Sequence, residues 1–284
     1  MKPARFTYEV PATLADALAA LARRGGEAKI IAGGQSLAPM MNMRIAQPGH
    51  LIDINHVAEL GQIRLADDHL VCGALMRHAD LARHVLAWTH APMLAYAAGT
   101  IGHYAIRQRG TLGGSLAHAD PAAQLPLAAV ALDARIEIAS SGGRRVVPAT
   151  EFFASIFTTV LEPHELIVAL HVPVARLGEG WGFQLLTRRA GDFALALVGC
   201  TLARTGRRVD AVRLAVGGVG ATPVRLDGAI EPGAGDAHWI ERAARAVAAA
   251  VTIEANERIS VEYRRELVET LAQRALTEAI ESLT

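Results

Sequence analysis

Two glycine pairs constrain this chain more than any other feature. One lies in Ala32-Gly33-Gly34-Gln35-Ser36, directly after the apolar run Lys29-Ile30-Ile31-Ala32. The other lies in Thr111-Leu112-Gly113-Gly114-Ser115. Glycine reaches positive φ freely and lets a backbone approach another group with no Cβ in the way. Successive amides in such a turn converge into a nest that attracts anions. The hydroxyls of Ser36, Thr111 and Ser115 add donors suited to phosphate oxygens. Read this way, the pairs grip a pyrophosphate from two sides; the alternative is two tight turns with no ligand. Neither pair fits G-x-G-x-x-G, and no Gly-Lys-Ser/Thr follows, so a Rossmann fingerprint and a P-loop are both ruled out.

The rest of the chain divides around them. A short strand over 4–9 precedes a helix over Leu14–Arg24, capped by Thr13 and stopped by Gly25-Gly26. The buried strand at 29–32 and a strand at Leu51–Ile54 complete a β-α-β beginning. Residues 62–75 read as a hairpin turning at Ala66-Asp67-Asp68, and helices are expected at 78–87 and 91–101. The segment 102–120 shows no helical or strand period. Asp120 and Pro121 open a helix running to Leu132. Strands at 136–138 and 145–147 flank the turn Ser140-Ser141-Gly142-Gly143, and another covers 165–172. A boundary falls at 174–180. An antiparallel meander follows over 182–216, and then two helices, about 236–251 and 260–282.

Composition narrows the chemistry. The 284 residues carry 28 basic and 28 acidic side chains. That balance argues against nucleic acid, which demands a basic surplus. Cys72 and Cys200 are the 2 cysteines, too few for an iron–sulfur cluster, a structural zinc site or a disulfide framework. The 11 histidines show no metal-ligand spacing. Redox chemistry on this chain therefore needs an organic cofactor, and no metal site is expected. No apolar signal region follows Met1-Lys2-Pro3, and the apolar runs at 125–132 and 193–202 are too short to span a bilayer. A cytoplasmic location is expected. Lys2 and Lys29 are the only lysines, which singles out Lys29. His118 with Asp120 offers an acid–base pair, but local packing and capping account for both. Arg107 and Arg109 offer phosphate partners, against which stands a solvated loop or a salt bridge to another subunit. No catalytic residue emerges.

The motifs together resemble the FAD-binding medium subunits of the molybdenum hydroxylases, the group that includes carbon monoxide dehydrogenase and xanthine dehydrogenase. The resemblance spans essentially the whole chain. It runs from Phe6-x-Tyr8-x-x-Pro11 through Ala32-Gly33-Gly34-Gln35-Ser36-Leu37, Leu51-Ile52-Asp53-Ile54 and Gly73-Ala74. Its strongest stretch is Arg107-x-Arg109-Gly110-Thr111-Leu112-Gly113-Gly114-Ser115 continuing to Ala123. It closes with Arg188-Arg189-x-Gly191-Asp192-Phe193-Ala194, Gly217-Gly218-Val219 and Tyr263-Arg264-Arg265.

This resemblance implies an α+β fold. A two-lobed FAD-binding domain of the PCMH type would cover 1–175, with lobes at about 1–55 and 56–175. A C-terminal medium-subunit domain, an antiparallel sheet plus helices, would cover 176–284. It implies that Lys29, Ile30, Ile31, Ala32, Gly33, Gly34, Gln35 and Ser36 wrap the FAD diphosphate. Thr111, Leu112, Gly113, Gly114 and Ser115 would hold it from the other loop. Ile101, Gln124, Ile167, Gln184 and Phe193 would lie along the rest of the cofactor. Three positions depart from the pattern: Gln124 replaces a carboxylate, Gln184 a lysine and Asn256 an aspartate. The lost charges beside a flavin bear on its potential or its acceptor.

The implied role is electron transfer within a heterotrimer. A large molybdopterin subunit and a small [2Fe-2S] subunit would be the partners, as a dimer of heterotrimers. Electrons would pass from the iron–sulfur clusters through FAD to a terminal acceptor. The alternatives are a stand-alone FAD oxidoreductase and a structural subunit that has lost its flavin.

Overall fold

The structure is a computed structural model that describes residues 2–257 and 259–283. The first lobe is a three-stranded parallel sheet of β1 (Thr7–Glu9), β2 (Ala28–Ile31) and β3 (His50–Asp53), with β3 in the centre. Helix α1 (Leu14–Arg24) has the bounds its sequence dictates. The Thr13 hydroxyl accepts the Asp16 amide at the start, and Gly25 turns the chain at φ 52° at the end. Its Leu14, Ala17, Ala20 and Leu21 pack with Ala28 and Ile52 of the sheet and with Ile54 just beyond β3. Helix α2 (Leu37–Asn42) follows the first glycine pair and buries Met41.

The second lobe is an antiparallel sheet ordered β4 (Ile63–Ala66), β5 (His69–Gly73), β10 (Leu166–Pro173), β6 (Arg135–Ser140) and β7 (Gly143–Pro148). A ribbon of β8 (Phe153–Ser155) and β9 (Thr158–Thr159) lies beside it. Seven short helices surround it: α3 (His78–Leu81), α4 (Val85–His90), α5 (Pro92–Gly99), α6 (Tyr104–Arg109), α7 (Leu112–His118), α8 (Gln124–Ala131) and α9 (Ala149–Phe152). Every residue of α8 is buried, as befits a helix without a polar stripe.

The C-terminal part is an antiparallel meander of β11 (Glu179–Thr187), β12 (Ala194–Thr205), β13 (Arg208–Gly217) and β14 (Val224–Arg225). Alternation along the strands sends side chains to opposite faces. Phe183, Leu197 and Ala215 pack on one face with Met93 of α5 and Leu125 and Leu127 of α8. Val198, Cys200, Leu214 and Val216 pack on the other with α10 (Ala237–Ala250) and α11 (Val261–Glu281). Helix α11 also covers the sheet edge, where unpaired amides invite association. Glu278 accepts the Phe183 amide at 2.9 Å, and Ser282 accepts the Trp181 amide at 2.8 Å.

The helical segments differ from the sequence expectation in three ways. The helices expected at 78–87 and 91–101 are the three helices α3, α4 and α5. The segment 102–120 contains α6 and α7. Asp120 does not cap the next helix. Its carboxylate accepts the Ala122 amide in a local turn, and α8 starts only at Gln124. Helices of six or seven residues are too short to display a 3.6-residue period, and glycine lowers the propensity of α7 further. Tertiary contacts hold them instead.

Gly182 shows how tightly α11 crosses β11, because a Cβ there would overlap the Ala275 carbonyl. Gly182→Ala should therefore destabilise the chain by roughly 2–3 kcal/mol through overpacking. Urea unfolding checks this, and an unchanged midpoint would contradict the packing described.

Candidate functional site

The first glycine pair lies against the residues that lead into the second, where the lobes join. Gly33 lies against the Arg109–Gly110 peptide. A Cβ at Gly33 would overlap the Arg109 carbonyl and stand 2.9 Å from the Gly110 Cα. Gly34 then turns at φ 69°. Among the described residues, the backbone amides of Gly33, Gly34, Gln35 and Ser36 have no hydrogen-bond partner in the chain. The Gln35 side chain folds back instead and donates to the Gly33 carbonyl at 2.9 Å. Buried or half-buried amides without partners are rare in proteins. Here Gly33, Gly34 and Ser36 are half-buried and Gln35 is exposed, and a succession of free amides of this kind can cradle an anion.

The second pair is built differently. Thr111 caps α7, and its hydroxyl accepts the Gly114 amide at 3.1 Å. Leu112 donates to Met76 O at 2.9 Å, Gly113 to Ala74 O at 2.8 Å and Ser115 to Thr111 O at 3.0 Å. The amides of this turn are already used, so it is a helix start rather than a nest. Gly113 is glycine because Ala74 leaves no room: a Cβ would lie 2.6 Å from the Ala74 Cβ. On α7, Gly114 is exposed and Ser115 half-buried.

A polar chain crosses the junction. The Tyr8 hydroxyl donates to Asp53, and Asp53 Oδ1 accepts the Asn55 side-chain amide at 2.5 Å. Asn55 Nδ2 also donates to the Ala32 carbonyl at 2.8 Å, while Asn55 Oδ1 accepts from Arg77 at 2.6 Å. Arg77 then donates to the Arg109 carbonyl. Burial works against the charge on Asp53, but the hydrogen bonds from Tyr8 and Asn55 outweigh it and hold the carboxyl below its usual range. Burial, and then the like charge of Arg109, lowers the Arg77 pKa.

His78 underlies the second loop. Its Nε2 lies 2.9 Å from the Thr111 carbonyl. That oxygen can only accept, so the proton sits on Nε2. Nδ1 has no partner, and burial pushes the pKa down to about 4.

The remaining expected residues are dispersed. Gln124 is 6% exposed and reaches the Thr100 carbonyl at 3.5 Å, next to Ile101. Arg107 donates to the carbonyls of Ile101 and Gly102, which withdraws it from phosphate binding. Lys29 is exposed on β2, and Ile30 and Ile31 are partly buried there. Ile167 is 3% exposed, inside the core of the second lobe. Gln184 donates to Glu278 of α11 at 2.9 Å. Phe193 is 71% exposed on the β11–β12 loop, which rests on His103 through Gly191. His118 stacks on Phe157, with ring centroids 4.9 Å apart. Arg77, Asn55 and His78 carry no sequence signal that marks them.

Comparison with known proteins decides the family. Residues 4–175 match the FAD binding domain in molybdopterin dehydrogenase, and residues 181–279 match the CO dehydrogenase flavoprotein C-terminal domain. The chain is an FAD-binding medium subunit of the molybdenum hydroxylase family. It is 37% identical over 282 residues to the carbon monoxide dehydrogenase medium chain of Hydrogenophaga pseudoflava, covering 98% of each chain. It is 40% identical to the 6-hydroxypseudooxynicotine dehydrogenase complex subunit alpha of Paenarthrobacter nicotinovorans, covering 99% of this chain and 96% of that one. Among solved structures, a chain of carbon monoxide dehydrogenase from Hydrogenophaga pseudoflava superposes with a TM-score of 0.96 at 35% identity, covering 100% of both chains.

The medium-subunit fold places an FAD domain ahead of the C-terminal sheet, and the chain is an oxidoreductase subunit. The cradle fits such a cofactor, since a diphosphate needs several converging donors and a backbone without Cβ atoms. Among the described residues, no cluster of His, Cys, Asp or Glu could hold a metal ion, and no helix is long and apolar enough to cross a membrane.

His78 generates a pH prediction. Unfolded histidine takes up a proton near pH 6.5, whereas folded His78 resists until about 4. The unfolded state thus binds more protons in that window, so stability falls as pH drops through it. The loss is on the order of 3 kcal/mol, from about 1.4 kcal/mol per pH unit. Urea unfolding between about pH 7 and pH 4.5 should show this slope reduced in His78→Gln; equal slopes would contradict it.

Proposed function

We propose that this chain is the electron-transfer flavoprotein of a heterotrimeric molybdenum hydroxylase. A large molybdopterin subunit oxidises the substrate, and a small [2Fe-2S] subunit relays electrons to this chain, which passes them to a terminal acceptor. The carrying observation is the row of unpartnered amides at Gly33–Ser36, set at the lobe junction of a chain whose family holds FAD. FAD, when bound, supplies an isoalloxazine that exchanges electrons one or two at a time.

The chain's own residues do the binding. The amides of Gly33–Ser36 hold the diphosphate, and the exposed Gly114 and the Ser115 hydroxyl approach it from α7. Gln124 and Ile101 border the cofactor deeper in the second lobe. Phe193, on the loop seated on His103, shields the ring. Ile167 acts from the core behind that surface, and Gln184 acts through its bond to Glu278. Residues 1–175 form the flavin-holding unit and 176–284 the unit that closes it. The partners assemble as a dimer of heterotrimers in the cytoplasm, and their surfaces cover part of this one.

The assembled complex should release one FAD per copy of this chain on denaturation, and partner-bound substrate should bleach the flavin absorbance. A complex that turns over its substrate with no flavin would overturn the proposal. Gly33→Ala should abolish FAD retention by forcing the Arg109 peptide away, whereas Gly26→Ala, which meets nothing within 4 Å, should retain it. Equal flavin content in the two variants would contradict the placement.

A further inference from the structure

The polar chain at the lobe junction has one member that touches both sides. Arg77 stands at the start of α3, and its backbone forms an antiparallel bridge with Thr111. Its guanidinium donates with one nitrogen to the Arg109 carbonyl and with the other to Asn55 Oδ1 at 2.6 Å. Asn55 passes the connection on to the Ala32 carbonyl at 2.8 Å. Ala32 immediately precedes the cradle, and the Arg109 carbonyl is the group on which Gly33 rests.

We propose that Arg77 is the positioning residue that presets the cradle, by tying the Ala32 and Arg109 carbonyls together through Asn55 before any ligand arrives. The proposal rests on the flavin reading above. A planar fork suits this task, because two acceptors lie on different lobes and must be held at a fixed separation. A lysine ammonium carries the same charge on a single flexible point. Asn55 is itself held, since Asp53 Oδ1 accepts both its backbone amide at 2.9 Å and its side chain at 2.5 Å. The relay is therefore fixed at both ends, and the cradle does not depend on ligand to assemble.

Ligands that share parts of FAD separate this role from general support of the fold. Full-length protein is titrated with FAD, with ADP, which keeps the diphosphate, and with riboflavin, which lacks it. Arg77→Met should weaken FAD and ADP by a similar factor, roughly ten- to a hundred-fold for the loss of a charge-assisted hydrogen bond, and leave riboflavin unchanged. Arg77→Lys should not restore binding. Asn55→Ala should reproduce the effect, and the double variant should add little to either single one.

Unchanged ADP affinity in Arg77→Met overturns the proposal. So does an equal loss for riboflavin, which marks a merely structural role, or full rescue by lysine, which marks simple charge. If Arg77→Met does not fold, Asn55→Ala carries the same readouts. Wild-type protein that takes up neither FAD nor ADP fails at the flavin reading itself, before any variant is compared.

Discussion

The contact between Gly33 and the Arg109–Gly110 peptide is the constraint on which the lobe junction depends. The two backbones lie against each other there, and a Cβ at Gly33 would overlap the Arg109 carbonyl. That carbonyl also accepts a hydrogen bond from Arg77. Gly110 in turn lies so near the His78 ring that a Cβ would come within 2.8 Å of it. The junction is thus a stack of peptide, peptide and imidazole with no slack. Among the described residues, the chain provides no acceptor for the amides of Gly33–Ser36 beside this stack.

The two glycine pairs look alike in sequence and do different physical work. Gly33-Gly34 leaves its amides free and turns through positive φ. Gly113-Gly114 sits inside a capped helix, where Ala74 and Thr111 dictate the small residues. A sequence reports the absence of a side chain but not what fills the space. Both pairs read as nests in sequence, yet in the structure the amides of the first are unpartnered while those of the second are bonded within the chain. Local signals were legible where one residue suffices: Thr13 and Gly25 bound α1, and Ser140-Ser141-Gly142-Gly143 turns the β6–β7 hairpin. Helices α6 and α7 are too short to show a period, and α7 is anchored through Leu112 and Gly113 to Met76 and Ala74, far away in sequence. The polar chain from Tyr8 to Arg77 leaves no sequence spacing either, because all its bonds but the local Asp53–Asn55 pair join distant segments.

The C-terminal sheet is part of the same design. One face buries α8, apolar from Leu125 to Ala131, and the other carries α10 and α11. Helix α8 begins at Gln124, beside Ile101, so the sheet backs the interior of the second lobe. Gly191 seats the β11–β12 loop on His103, at the start of α6, with a Cβ there placed 2.7 Å from the ring nitrogen Nδ1. The segment that ends in the Arg109 carbonyl is therefore braced from both parts of the chain.

The most direct test of this account is residue-resolved hydrogen exchange of the full-length protein with and without FAD. The amides of Gly33, Gly34, Gln35 and Ser36, unpartnered in the chain, should become strongly protected when FAD binds. Those of Leu112–Ser115 should change little, being hydrogen-bonded already. Protection gained at Leu112–Ser115 with none at Gly33–Ser36 would place the diphosphate on the other loop and contradict the account.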